Sequence, residues 1–157
     1  MVFEEIYAQY APKIFRLCMG YVNDHEQAQD LTQETFVAVW QHLSSFRGEA
    51  GIGTWIFRIA SNNCLRSMEK NKRVLQTELP VQMAEVKEET KEEKLQLLYR
   101  CIAELEETER IIISLVLEDL PQAEIAAVVG LSEGNTRVRI HRIKEKLFQK
   151  MKQHGKF

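Results

Sequence analysis

The chain is poor in the residues that build tight turns. It has seven glycines and three prolines among 157 residues. Sandwiches and barrels need turn residues between many short strands, so this scarcity argues against both folds. Apolar residues make up 45% of the sequence and charged residues 28%, as expected of a folded globular protein. The composition therefore favours helices before any periodicity is considered.

Cysteines and long apolar runs are also scarce. Cys18, Cys64 and Cys101 are far apart, so no paired metal-ligand spacing exists, and their odd number argues against a disulfide framework. We expect three small core residues in a reducing compartment. The longest apolar run, residues 111–117, is far shorter than a membrane span, and the N-terminus is acidic where a signal peptide is basic. The sequence therefore predicts a cytoplasmic protein.

The chain lacks a large excess of either charge, because its net charge is −2. Basic and acidic residues balance in residues 1–73, whereas residues 74–94 carry −3 and residues 95–157 carry +1. From Glu133 onward there are eight basic residues and two acidic ones. A basic C-terminal helix on a neutral to acidic scaffold indicates a localised phosphate-binding face.

Apolar residues recur at three- and four-residue steps along most of the chain, which predicts amphipathic helices. Asn23-Asp24 ends the first helix, and either residue can cap the second. The glycine-rich stretch 46–53 separates the second from the third, for which Thr54 is the expected N-cap. Thr108 is the expected cap of the fifth. The predicted helices cover residues 6–21, 25–43, 55–72, 95–105, 108–117, 122–129 and 133 onward.

We interpret residues 74–94 as a linker between two small helical domains, 1–73 and 95–157. Pro80 stops any preceding helix, and the Glu/Lys alternation that follows has little apolar content. A solvated helix with i,i+4 ion pairs over residues 85–94 is the alternative. The predicted fold class is all-α.

Residues 124–139, EIAAVVGLSEGNTRVR, have the composition of a helix-turn-helix. Small alanines allow close helix crossing, Gly130 permits a positive φ, and Ser132 caps a basic second helix. A helical hairpin with a merely solvated last helix is the alternative. A helix turns 100° per residue, which assigns the residues of the second helix to faces. The face towards the domain carries Thr136, Ile140, Ile143 and Leu147, and the outward face carries Val138, His141, Arg142 and Glu145. One flank carries Arg137 and Lys144, and the other carries Arg139 and Lys146.

No catalytic constellation is evident in the sequence. The four histidines are scattered and lack Cys or carboxylate partners at metal-ligand spacing. There is no Gly-rich phosphate loop followed by Lys-Ser/Thr and no nucleophile elbow. We therefore expect no enzymatic activity, no metal or cofactor and no small-molecule substrate.

Three segments of the first half carry a family resemblance: DLTQETFVAVW (30–40), FRGE (46–49) and TWIFRIASN (54–62). Together they resemble region 2 of the extracytoplasmic-function (ECF) sigma factors of the sigma-70 family. Residues 122–148 resemble region 4 of the same family, in the same order and at the expected separation. The resemblance implies a transcription initiation factor that binds core RNA polymerase and promoter DNA and starts promoter melting.

The resemblance also implies residue roles. Asp30, Gln33, Glu34 and Phe36 would bind the clamp helices of the polymerase, although a solvated face with Phe36 in the core is equally compatible with the sequence. Trp55 and Phe57 are expected to pack rather than bind. The implied −10 contacts are Phe46 and Asn62 at the base pocket, with Arg47, Arg58, Arg66, Lys70, Lys72 and Arg73 on phosphates. The implied −35 contacts are Arg137, His141 and Arg142, with Lys144 beside them and Val138 against a thymine methyl.

Two departures from the family pattern affect the reading helix: Asn135-Thr136 stands where Thr-Val is common, and Val138 replaces a small polar residue. The family further implies an anti-sigma factor as an inhibitory partner.

Two other functions are compatible with a helix-turn-helix. One is a stand-alone repressor that dimerises on palindromic DNA, and the other is a protein-interaction adaptor that keeps the motif only for packing.

Overall fold

The computed structural model describes residues 2–71 and 91–154, which are helical apart from short connections. A single 3-10 turn, Leu43–Ser45, follows the second helix. The described ranges contain no strand, which confirms the all-α class, and none of their helices is long and apolar enough to cross a membrane. In chain order the helices are α1 (Phe3–Val22), α2 (His25–His42), α3 (Ile52–Asn71), α4 (Lys91–Ala103), α5 (Glu107–Leu117), α6 (Gln122–Val129) and α7 (Glu133–His154).

The break between α1 and α2 uses both predicted residues, each for a different task. Asn23 adopts a left-handed conformation with φ 49°, and its backbone N–H donates to the carbonyl of Met19 at 2.9 Å. Asp24 is the N-cap of α2, because its Oδ1 accepts a hydrogen bond from the backbone N–H of Gln27 at 2.8 Å. One residue thus ends α1 and the next begins α2.

Helix α3 begins earlier than the sequence predicted. The carbonyl of Gly51 already accepts the backbone N–H of Trp55 at 3.1 Å, so Thr54 lies inside the helix and is not its cap. The glycines argued against a helix here, but Gly53 lies in the first turn of α3. A close neighbour accounts for a glycine at this position. A Cβ at Gly53 would lie 2.9 Å from Oη of Tyr10, so α1 packs directly on the α3 backbone.

Helix α5 also begins earlier than predicted. Its N-cap is Glu106, and the backbone N–H of Glu106 donates to Oε1 of Glu109 at 3.2 Å. Thr108, the expected cap, lies within the first turn. The carboxylate of Glu109, three residues into the helix, therefore caps its start where a hydroxyl was expected. This carboxylate also lies at the positive end of the helix dipole.

Helix α4 starts at Lys91, so residues 91–94 belong to a helix. The sequence had placed them at the end of the linker, with a solvated helix as the alternative. Residues 74–90 of that segment lie outside the described residues.

The seven helices share one hydrophobic core. Helix α1 packs against α2 and α3 on one side and against α4 and α5 on the other, while α3 also packs against α6. The two predicted domains are therefore in direct contact. The largest fully buried side chains come from both halves and are Ile6, Ile14, Leu17, Tyr21, Val39, Ile56, Ile102, Ile111, Ile112, Leu115, Ile125 and Ile143.

The three cysteines lie in this core, as predicted, and none has any exposed surface. Cys18 and Cys64 bring α1 and α3 together with their Sγ atoms 3.9 Å apart. The hydrogen bond with Cys18, together with burial, raises the pKa of the Cys64 thiol well above its usual value, and burial raises the pKa of Cys101. Both shifts favour protonated thiols that act as small apolar core residues.

Two glycines near the turn between α6 and α7 give a matched test of backbone geometry. A Cβ would meet no atom within 4 Å at either Gly130 or Gly134, but only Gly130 has a positive φ, of 75°. We expect Gly130→Ala to lower the free energy of unfolding by about 1–2 kcal/mol. Gly134→Ala, in the first turn of α7, should raise it by about 0.5–1 kcal/mol.

Urea titrations followed by circular dichroism measure both changes. An equal loss of stability in the two variants would show that the left-handed conformation of Gly130 is not what the turn depends on.

Candidate nucleic-acid interface

Helices α6 and α7 form the predicted helix-turn-helix. Gly130 takes the left-handed conformation and donates its backbone N–H to the carbonyl of Ala126 at 2.9 Å, and Leu131 donates to the same carbonyl at 3.1 Å. Ser132 then starts α7, because its Oγ accepts the backbone N–H of Asn135 at 3.1 Å. The predicted turn glycine and serine cap are both confirmed. They fix the angle at which α7 leaves α6.

The faces of α7 follow the predicted angles. Thr136, Ile140, Ile143 and Leu147 are buried against the other helices. The opposite side is exposed, and Val138 keeps 48% of its surface open to solvent between charged neighbours. The exposed face of α7 consists of Arg137, Val138, Arg139, His141, Arg142, Lys144, Glu145 and Lys146.

Two exposed side chains of α7, those of Lys146 and His141, lie beside carboxylates of the protein. Nζ of Lys146 lies 2.9 Å from Oε2 of Glu109 on α5, and this hydrogen bond raises the pKa of Lys146. Nε2 of His141 lies 3.3 Å from Oε1 of Glu145, one turn further along α7. The flank that carries Lys146 is thus held to the scaffold, whereas among the described residues Arg137 and Lys144 on the other flank have no ion pair with another helix.

The connection between α2 and α3 forms a small aromatic cavity. The rings of Phe46 and Trp55 are stacked, with centroids 4.8 Å apart and planes 30° from parallel. Trp55 thus packs, as predicted, but on the loop rather than deep in the core. The cavity has a volume of about 230 Å³ and is lined by Ser45, Phe46, Arg47, Glu49, Ala50, Trp55 and Arg58.

The remaining residues predicted for the −10 element follow one face of α3. Arg58, Asn62 and Arg66 are exposed at four-residue steps, so they form a stripe. Arg66 donates from Nη2 to Oδ1 of Asn63, and Asn63 donates from Nδ2 to Oγ1 of Thr35 at 3.4 Å. Phe57 is buried, as expected. Of the predicted phosphate contacts, Lys72, Arg73 and the side chain of Lys70 lie outside what the structure describes.

Arg66 faces a different surface from the aromatic cavity. It lines a groove of about 440 Å³ between α2 and α3, together with Asp30 and Glu34. The structure thus brings Phe46, Arg47 and Arg58 together around one cavity. It places Arg66 beside residues that were predicted to bind polymerase.

The exposed face of α2 differs from its prediction in one respect. Asp30, Gln33 and Glu34 are exposed, but Phe36 is only 3% exposed and contacts the ring of Tyr7 at 4.9 Å between centroids. Phe36 is thus a core residue, which was the alternative that the sequence left open. Its position in this structure prevents it from serving as a surface anchor.

Trp40 is the aromatic residue that α2 does expose. Val39 beside it is buried, whereas Trp40 is 64% exposed and stands edge-on against Phe3, with ring centroids 5.2 Å apart. Val37 is 55% exposed on the same face. Val37 lies four residues after Gln33 and Trp40 three residues after Val37, a spacing that would have identified them once the acidic face was known to be exposed.

The comparisons with known proteins cover both halves of the chain. Residues 6–74 match sigma-70 region 2, and residues 95–147 match sigma-70 region 4. The ECF RNA polymerase sigma-E factor of Salmonella typhimurium is 30% identical over 165 residues, which cover 95% of this chain and 86% of that protein. The RNA polymerase sigma-H factor of Pseudomonas aeruginosa is 28% identical over 159 residues, which cover 91% and 82%.

Two solved structures have a similar fold at 22% sequence identity. The sigma factor RpoE of Bartonella quintana, solved with the anti-sigma factor NepR, superposes with a TM-score of 0.77 over 96% of each chain. CnrH, solved with the cytosolic domain of CnrY, superposes with a TM-score of 0.70 over 96% of this chain and 88% of that one. With both regions matched in order and a 30% identical relative spanning most of its length, this chain belongs to the ECF sigma factors of the sigma-70 family.

Proposed function

We propose that the chain directs core RNA polymerase to promoters through three surfaces. Helix α7 reads the −35 element, the aromatic cavity and the stripe on α3 bind the −10 element, and the exposed face of α2 binds the polymerase. The observation that carries this proposal is the exposed basic face of α7 on a capped helix-turn-helix, in a chain that matches both sigma regions. The corresponding functional domains are residues 1–73 and 95–157, with residues 74–94 between them.

The −35 surface consists of Arg137, Val138, His141, Arg142 and Lys144. The arginines can make bidentate hydrogen bonds to guanine, and an apolar residue in their midst suits the methyl group of thymine. Because Ser132 caps the start of α7 and the opposite side of the helix is buried, these side chains project from a rigid support. Lys144 lies on the flank that has no ion pair to the scaffold, where it can contact phosphate.

Substitutions on α7 test the −35 surface. We expect Arg137→Ala and Arg142→Ala each to weaken promoter-dependent initiation by about 1–3 kcal/mol, or roughly 5- to 150-fold. Arg100→Ala is the matched control, because it removes one exposed positive charge that lies on α4 and not on the exposed face of α7. The measurement is abortive transcription with core polymerase at a fixed promoter. Equal losses in the control would mean that bulk charge, and not base contact, is responsible.

The −10 surface centres on the cavity that Phe46 and Trp55 line. Opening a duplex costs the stacking energy of the extruded base, and a cavity with aromatic walls offsets part of this cost. Arg47 and Arg58 line the same cavity and are positioned for the flanking phosphates. Asn62 lies one turn beyond Arg58 on the exposed stripe, and we assign Arg66 and Arg73 to phosphates further along the strand.

The polymerase-binding surface comprises Asp30, Gln33, Glu34, Val37 and Trp40. A face with two carboxylates and an exposed indole suits a basic partner helix with apolar residues between its charges. Trp is the residue type most enriched among interface hot spots, and Trp40 needs no rearrangement to be reached.

Substitutions of Trp40 test whether this surface binds polymerase or is merely a solvated helix face. We expect Trp40→Ala to weaken binding to core polymerase by about 2 kcal/mol or more, roughly 30-fold, while Trp40→Phe retains most of the affinity. Fluorescence anisotropy of the labelled chain titrated with core polymerase measures both. If Trp40→Ala binds as tightly as the wild type, the contact lies on another face.

The partners that follow from this proposal are core polymerase, promoter DNA and an anti-sigma factor, in the cytoplasm where promoters are found. One structural neighbour was solved with an anti-sigma factor and the other with the cytosolic domain of CnrY, which motivates the expectation of an inhibitory partner for this chain. A tethered pair of weak DNA contacts raises the effective concentration of the second once the first has formed. The near-neutral net charge of −2 supports recruitment through polymerase rather than by DNA alone.

In-vitro transcription with core polymerase on a fragmented genomic library tests the function as a whole. Initiation at a defined set of sites, each with a shared pair of sequence elements, is the expected result. A stand-alone repressor would bind palindromic DNA tightly without polymerase and support no initiation. An adaptor would do neither, and its activity would survive Arg137→Ala and Arg142→Ala together.

A further inference from the structure

The first turn of α7 contains a glycine that the fold does not require. Gly134 is exposed, and a Cβ at this position would meet no atom within 4 Å. Its φ is not positive, so alanine fits both the space and the backbone. A glycine inside a helix weakens that helix relative to alanine. Among the described residues no neighbour accounts for this weakening, which points to a surface outside the chain.

Asn135, the next residue, combines an exposed side chain with a fixed backbone. Its backbone N–H donates to Oγ of Ser132 at 3.1 Å. Thr136 is fully buried and donates from Oγ1 to the carbonyl of Ser132 at 2.8 Å. Within the part of the chain that the structure describes, the side-chain amide of Asn135 has no hydrogen-bond partner. The amide is therefore available to a ligand, on a turn that the cap holds in place.

Both residues lie on the outward face of α7. With a turn of about 100° per residue, Gly134 lies about 40° to one side of Val138 and Asn135 about 60° to the other. Arg142 is on the same side as Asn135, about 40° from Val138. Gly134 and Asn135 thus extend the proposed −35 surface by one turn, to the start of the helix. The N-terminal residues of a recognition helix are those that contact base edges in the major groove.

The amide of asparagine matches one base in the major groove. Its Oδ1 accepts a hydrogen bond from the N6 amino group of adenine, and its Nδ2 donates to N7 of the same base. Guanine offers two acceptors there, cytosine offers a donor, and thymine offers an acceptor beside a methyl group. Adenine is therefore the base that satisfies both amide atoms of Asn135.

The short side chain of Asn135 requires the helix backbone to come close to the base. Arginine reaches a base edge from further away, because a long apolar stem carries its guanidinium. A helix with its side chains is about 10–12 Å across and the major groove is about 12 Å wide, so little space remains between them. The absence of a Cβ at Gly134 gives α7 the room to approach DNA beside Asn135.

We propose that Asn135 reads an adenine of the −35 element and that Gly134 is the point where α7 approaches the DNA most closely. This inference rests on the sigma-factor function proposed above, and it adds two residues and the identity of one base to the −35 surface. Asn135 is the specificity-determining residue, since it makes both hydrogen bonds to the base. Gly134 is a positioning residue that acts through Asn135.

The base preference of Asn135 variants tests the first part of the proposal. The measurement is transcription with core polymerase from a promoter mapped with the wild type, in which each −35 position carries each base in turn. The wild type should favour adenine at one position. Asn135→Ala should lower initiation from the adenine promoter roughly 5- to 150-fold and remove the preference at that position alone. Asn135→Asp, which cannot donate to N7, should lose the preference as well.

Gln149→Ala is the matched control. It removes an exposed side-chain amide from the same helix, about 21 Å further along its axis. This variant should keep the wild-type preference at every −35 position. Circular dichroism of each variant shows whether the helices are intact.

Gly134→Ala distinguishes a contact with DNA from an effect on folding, because the two change in opposite directions. The substitution should stabilise the chain against urea, yet weaken initiation from the mapped promoter by roughly tenfold, since the methyl group fills the space between α7 and the DNA. In the Asn135→Ala background the loss caused by Gly134→Ala should be smaller, because no short side chain then depends on the close approach. Two independent effects would instead be additive.

The outcomes distinguish this inference from the proposed function. If the wild type initiates at a defined promoter but has no preference for adenine that Asn135→Ala removes, the role of Asn135 is overturned and the sigma function stands. Equal initiation by Gly134→Ala and the wild type would overturn the close approach at Gly134. If the wild type initiates at no defined promoter with core polymerase, the proposed function fails, and the inference fails with it.

Discussion

The close approach of α1 to α5 at Gly20 determines how the rest of the molecule is arranged. Because only the small side chain of Ser114 lies between α1 and α5 at Gly20, the two helices pack closely, and the two halves share a continuous core. The ion pair of Arg16 with Glu118 and the hydrogen bond from Arg58 to α6 follow from that placement. Such an interface combines a few specific contacts with buried apolar surface, which allows it to be specific without being permanent.

The distribution of charge along the chain bears on the surfaces proposed to bind DNA. Basic side chains dominate one face of α7, while the remainder of the sequence is neutral to acidic. Affinity for DNA comes largely from phosphate contacts, so a chain of net charge −2 with one basic helix has little of it alone. Under the proposed function, the surfaces on α2, α3 and α7 therefore act on a polymerase that presents DNA in the right geometry.

The helix-turn-helix was predictable from sequence almost residue by residue, because its determinants are local. The turn needs a glycine with positive φ, the cap needs a serine, and the buried stripe of α7 repeats at helical spacing. Gly130, Ser132 and the face carrying Ile140 all lie where the sequence placed them. The starts of α3 and α5 were less predictable, since a tertiary contact at Gly53 and a carboxylate cap at Glu106 replaced the expected hydroxyl caps.

The site on α2 shows where sequence periodicity fails. A helix with aromatic residues at positions 36 and 40 can bury either, and only the packing of α1 decides between them. Phe36 is buried because Tyr7 and Phe3 cover it, which leaves Trp40 on the outer edge of that cluster. The contact between the two halves was likewise beyond the sequence, because nothing local marks Gly20 and Ser114 as neighbours.

Promoter-specific transcription with core polymerase is the most direct test of this account. Run-off transcription compares the wild type with the Arg137→Ala, Arg142→Ala double variant on a promoter found by mapping initiation on genomic DNA. We expect the wild type to initiate at one defined site. The double variant should lose this initiation while it keeps its helical circular dichroism and its binding to core polymerase. Equal initiation by the two chains would contradict the account.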